Sequence, residues 1–92
     1  MQSILEIISK IINNCKNNNI ENKITKIDVE NTSNYTLYFE EEDKIAYLGD
    51  ASNLNERILL LKAVLQKEKK SKGKIFINGD LSKDKVYFKP NK

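Results

Sequence analysis

The sequence predicts an α+β fold with the element order α-β-β-β-α-β-β, in which two helices pack on one face of a largely antiparallel sheet. Two segments place apolar residues at helical spacing, and five shorter segments alternate or concentrate β-favouring residues. Because the chain has 92 residues and no internal repeat or linker, residues 1–92 are expected to form a single domain with one modest core.

The first helix is predicted from apolar residues at i, i+3, i+4 and i+7 spacing. Its stripe consists of Ile4, Ile7, Ile8, Ile11, Ile12 and Cys15. The asparagine run 17–19 favours a stop and a turn. Cys15 continues the stripe, and the chain has no His to activate a thiol, so Cys15 is interpreted as a core residue rather than a nucleophile.

Three strands of a β-meander are predicted next, at Ile24–Val29, Tyr35–Phe39 and Lys44–Leu48. Two polar breaks, residues 31–34 and 40–43, separate them. The second break consists of four adjacent carboxylates and lacks the alternating ligands and central Gly of a calcium loop. It is therefore interpreted as a solvated hairpin turn.

The second helix is predicted to begin at Asn53, which is followed three residues later by Glu56 in a pattern similar to a capping box. Its apolar stripe is Leu54, Ile58, Leu61 and Leu65, widened by Leu60 and Val64. Gly73 breaks the chain after it.

Two short strands close the sequence, at Lys74–Asn78 and Lys85–Lys89, and Pro90 ends the second because it cannot donate to a ladder. No later element follows to cover this last strand, so it is expected to be an open sheet edge. Strand alternation assigns Val86 and Phe88 to the core and Tyr87 to the accessible face. Lys85, Tyr87 and Lys89 are the predicted partner-binding residues.

The composition argues against catalytic and metal chemistry. The chain has no His and one Cys, and its two Gly-Asp pairs, at residues 49–50 and 79–80, are typical of turns. We therefore predict no catalytic residue, no metal, no cofactor, no small-molecule substrate and a monomeric or weakly self-associating domain.

The net charge of +3 leaves a nucleic-acid-binding module open as the alternative function, since strand aromatics can stack on bases. Against it, 15 of the 16 positive charges are Lys, spread along the chain, and Arg57 is the only Arg. The abundance of Lys, Asn and Ile also fits an A/T-rich genome without selection for binding.

From residue 45 onward the pattern resembles the bacterial cell-division family FtsQ, called DivIB in Gram-positive bacteria. Three segments carry the resemblance: a strand ending in Leu48-Gly49, a helix with a basic residue before an aliphatic one at Arg57-Ile58, and a closing hairpin from Gly73 to Pro90. Residues 1–44 fit by element order only. One departure is Ile77-Asn78-Gly79, where many members have Asp-Leu-Arg, so the contact of that Arg is not carried over.

The resemblance implies a fragment of the distal part of the family's extracytoplasmic β domain, from a low-G/C Gram-positive bacterium. The parent protein would be membrane-anchored and act at the division septum, whereas this chain would be soluble. It also implies binding to the division proteins FtsB or DivIC and FtsL, with the distal strand edge as the docking site. A membrane span is not expected within the chain, because its longest apolar stretch, Ile4 to Ile12, is interrupted by polar residues.

Overall fold

Both predicted helices are present in the computed structural model, which describes residues 3–50, 52–80 and 86–91. Helix α1 spans Ile4–Asn17 and helix α2 spans Leu54–Lys67. The Ser3 hydroxyl caps α1 by accepting a hydrogen bond from the backbone N–H of Glu6. Single 3-10 turns lie at Glu21–Lys23 and Glu40–Glu42.

Five strands form one sheet in the order β1-β2-β3-β4-β5. They are β1 (Lys26–Asp28), β2 (Tyr35–Phe39), β3 (Lys44–Gly49), β4 (Gly73–Phe76) and β5 (Tyr87–Pro90). Every neighbouring pair is antiparallel except β3–β4, which is parallel because α2 carries the chain from the end of β3 back to the start of β4. The predicted α+β class, element order and largely antiparallel sheet are therefore confirmed.

One core lies between the two helices and one face of the sheet. Cys15 and Leu61 are fully buried in it, as their positions on the helical stripes predict. The cluster also contains residues from both helices and from the central strands: Ile7, Ile11, Leu37, Phe39, Ala46, Leu48, Leu54, Ile58, Leu65 and Ile75. Among the described residues, no helix covers the opposite face of the sheet. The candidate site lies on this open face, at the β5 edge.

Several local expectations are corrected. Leu60 is exposed rather than part of the buried stripe, because Arg57 takes the adjoining position against the core. Asn53 stands at the N-cap position with a left-handed φ of 52°, and its side chain makes no capping hydrogen bond. Strand β1 is shorter than the predicted Ile24–Val29.

The acidic turn at residues 40–43 was expected to be solvated, but one of its carboxylates forms ion pairs with lysines. A Glu42 carboxylate oxygen lies 3.4 Å from the Nζ of Lys44, whose side chain is fully buried, and the other lies 3.8 Å from the Nζ of Lys23. Glu42 thereby neutralises the buried charge of Lys44.

Candidate functional site

Strand β5 forms one edge of the sheet and pairs with β4 along its inner side. Tyr87 is 56% exposed, whereas Val86 and Phe88 are half-buried against the core, as the predicted alternation requires. Lys89 is exposed and shares the face of Tyr87. Lys85, the third predicted site residue, lies outside the described residues. Two of the three predicted residues are therefore found together on an accessible edge.

An aromatic ladder crosses the open face and ends at this edge. The register places Tyr47 opposite Phe76, and Phe76 opposite Tyr87. The ring centroids are 5.1 Å apart in the first pair and 4.7 Å in the second, and both pairs are stacked. Both faces of the Phe76 ring are therefore covered by neighbours. The outer face of the Tyr87 ring points to where the next strand would lie.

A row rich in lysine runs beside the ladder. The register aligns Lys26, Tyr38, Ile45, Lys74 and Lys89 across the five strands. Lys74 and Lys89 are directly opposite, and like charges in that arrangement repel each other. An acidic side chain placed beside Lys89 would relieve this repulsion.

The C-terminal end of β5 is held tightly against β4 at Gly73. A Cβ atom at this position would lie 2.3 Å from the carbonyl oxygen of Lys89 and 2.8 Å from the Cα of Pro90. The backbone N–H of Asn91 also donates to the carbonyl of Lys72 at 2.7 Å. Only glycine permits this approach, which fixes the position of the edge strand.

Arg57 supports the other end of the same hairpin, and the sequence reasoning did not assign it this role. Its Nε donates to the carbonyl of Ser52 at 2.7 Å, and its Nη1 donates to the carbonyls of Ile77 and Gly79. The side chain is only 5% exposed. It links α2 to the chain leaving β4. The sequence did contain a signal for the burial of Arg57, since residue 57 lies three positions after Leu54 and thus on the apolar side of the helix.

The described residues include two side chains with a clearly shifted pKa, Cys15 and Asp50. No group of three His, Cys, Asp or Glu among the described residues could hold a metal ion. Burial raises the pKa of the Cys15 thiol to about 12, so the thiol is protonated at neutral pH. Hydrogen bonds from Ser52 lower the pKa of Asp50, which stabilises its ionised form in a turn.

No family model, curated protein or solved structure matches this chain. Within the described ranges, no helix has both the length and the apolar character needed to cross a membrane. The resemblance to FtsQ/DivIB therefore stays a prediction.

Proposed function

We propose that this chain is a non-enzymatic protein-binding module that docks an extended partner segment along β5. The observation that carries the proposal is the exposed ladder end at Tyr87 on an edge strand. An edge strand presents backbone N–H and C=O groups that a further strand can pair with, so backbone hydrogen bonds supply affinity and side chains supply specificity.

The part of β5 to which a partner strand could pair is short. Phe88 is anchored against the core, so the strand does not have to be ordered when a partner binds. Pro90 lacks a backbone donor and limits pairing toward the C-terminus. Tyr87 to Lys89 is therefore the segment that would pair, through the outward-facing N–H and C=O of Phe88.

The edge favours a partner strand of particular chemistry. A planar side chain opposite Tyr87 would stack on the outer ring face and extend the ladder by one step. An acidic side chain two residues away would lie beside Lys89, next to Lys74. We infer that the partner carries an aromatic and an acidic residue on the same face of one strand.

The resemblance supplies a biological setting for this proposal. It supports FtsB or DivIC, together with FtsL, as the partners of a membrane-anchored parent protein outside the cytoplasmic membrane at the division septum. It also supports the distal strand edge as the docking site. The aromatic ladder supports the same edge independently, because it is a property of the side-chain stacking and not of the resemblance.

Single-stranded nucleic acid is the second candidate partner. The lysine row beside the aromatic residues on the open face favours it, since such surfaces combine phosphate contacts with base stacking. The ladder weighs against it, because the rings of Tyr47, Phe76 and Tyr87 cover one another instead of presenting open faces to bases.

The deciding experiment measures binding of the extracytoplasmic segment of the cognate FtsB or DivIC to the full chain and to Tyr87→Ala. We expect Tyr87→Ala to weaken binding by about tenfold or more, as for a central aromatic contact. Tyr38→Ala is the matched control, since Tyr38 lies on the same face but not at the edge, and it should leave affinity unchanged. Equal binding by the folded Tyr87→Ala variant would contradict docking at β5.

A parallel titration with a single-stranded oligonucleotide tests the second candidate. Binding through phosphates would weaken by orders of magnitude as salt rises from about 50 to about 200 mM, whereas strand pairing would change little. Salt-sensitive oligonucleotide binding without any affinity for the protein segment would favour the nucleic-acid function.

A further inference from the structure

The sheet has a second open edge at β1, and nothing in the proposed function uses it. We propose that β1 pairs in antiparallel fashion with β1 of a second copy of this chain, around a two-fold axis at Ile27. The two proposals are independent because β1 and β5 lie at opposite edges of the sheet.

Apolar side chains lie beside β1 on the face of the sheet that the helices cover, and together they form an apolar flank. A shallow groove of about 380 Å³ is lined by three half-buried isoleucines, Ile12, Ile24 and Ile27, and at its rim by Glu21, Thr25 and Lys26. Ile8 and Ile4 precede Ile12 by four and eight residues on α1 and so continue the same flank, and Ile4 is 57% exposed. Pairing at β1 would bring two such flanks together and remove apolar surface from water.

The charges of β1 are complementary to those of a second β1. In an antiparallel pair centred on Ile27, Lys26 of each copy lies opposite Asp28 of the other. Opposite residues share a face of the extended sheet, so two Lys–Asp pairs form on the open face. The same register places Ile27 against Ile27 on the helix side, where the apolar flanks meet.

Contacts within the chain orient the side chains of both Lys26 and Asp28. The Nζ of Lys26 lies 5.1 Å from the centroid of the Tyr38 ring, and Asp28 accepts a hydrogen bond from the backbone N–H of Glu30 at 3.0 Å. A lysine on an edge strand normally discourages pairing. Here the two-fold register supplies a carboxylate opposite it, so Lys26 would deter foreign strands and attract its own copy.

The interface is small, since β1 has three residues. Interfaces below the standard size give weak and transient association. We therefore expect a concentration-dependent dimer, with the monomer prevailing in dilute solution.

Sedimentation velocity over a concentration series up to the solubility limit tests the proposal. The full chain should shift from monomer to dimer. Lys26→Asp places like charges opposite each other in a homodimer, and so does Asp28→Lys, so each alone should weaken dimerisation by about tenfold or more. An equimolar mixture of the two variants should dimerise again, because every opposed pair then carries opposite charges.

Two controls keep the result interpretable. Glu56→Lys makes the same change in net charge as Asp28→Lys at an exposed position of α2, and it should leave dimerisation intact. Tyr87→Ala should also leave it intact, so a failure at β1 and a failure at β5 are distinguishable. A chain that stays monomeric throughout, single variants that dimerise like the original chain, or a mixture that does not recover association would each overturn the proposal.

Discussion

Arg57 provides a test of how the β4–β5 hairpin is held, because this one buried side chain joins α2 to the chain that leaves β4. Its three hydrogen bonds go to backbone carbonyls, two of them beyond the end of β4. Hydrogen bonds involving a charged group contribute about 1.5–3 kcal/mol each, and they are not additive. We expect Arg57→Ala to cost about 3–5 kcal/mol, because three such bonds are lost and the carbonyls of Ile77 and Gly79 lose their donor.

That loss is large for this chain. Domains have a free energy of unfolding of about 0.05–0.15 kcal/mol per residue, so 92 residues correspond to about 5–14 kcal/mol. Urea unfolding followed by far-ultraviolet circular dichroism measures the change in the midpoint. Arg57→Lys keeps the charge but not the planar fork, so it should lose an intermediate amount. Lys10→Ala, an exposed helical control, should stay within about 0.5 kcal/mol of the original chain. An equally small change for Arg57→Ala would refute this role.

Further predictions concern the core and the β4–β5 hairpin. Leu61→Ala should lower the free energy of unfolding by about 2–5 kcal/mol in the same urea assay, because Leu61 is fully buried. Gly73→Ala should lower the melting temperature, at a cost of about 1–3 kcal/mol, and also weaken partner binding, since the added Cβ collides with the carbonyl of Lys89. The Cys15 thiol, whose pKa is raised from 9.0 to about 12, should resist alkylation at pH 8 until urea unfolds the chain. The unfolded chain loses that proton at lower pH than the folded chain, so stability should fall as pH rises from about 9 to about 12, and Cys15→Ala should reduce that slope.

The sequence predicted those features that depend on local periodicity. Alternation alone correctly separated exposed Tyr87 from half-buried Phe88. Helical spacing likewise identified Cys15 and Leu61 as core residues. These features follow from the backbone geometry of a single element, so they need no knowledge of its neighbours.

Features that depend on two distant segments were not predicted. The parallel pairing of β3 and β4 follows from the path of α2, and the aromatic ladder follows from a register across three strands. Arg57 and Gly73 are defined by carbonyls that lie about twenty and about sixteen residues away in the chain. Periodicity describes which side of an element faces the core, and it does not describe which backbone group lies there. The Leu60 error has the same origin, since burial of Arg57 sets which side of α2 faces inward.

Hydrogen exchange at the backbone amides of β5 tests docking most directly, because strand pairing must protect outward-facing N–H groups. The measurement compares the full chain alone with the chain saturated by the extracytoplasmic segment of FtsB or DivIC. We predict slower exchange at Phe88, whose N–H points away from β4, with no change at Lys26 to Asp28 on the opposite edge. The N–H groups of Tyr87 and Lys89 already face β4 and are not the ones that a partner strand would protect. Unchanged exchange at β5 in the saturated complex, or protection confined to another surface, would contradict docking at this edge.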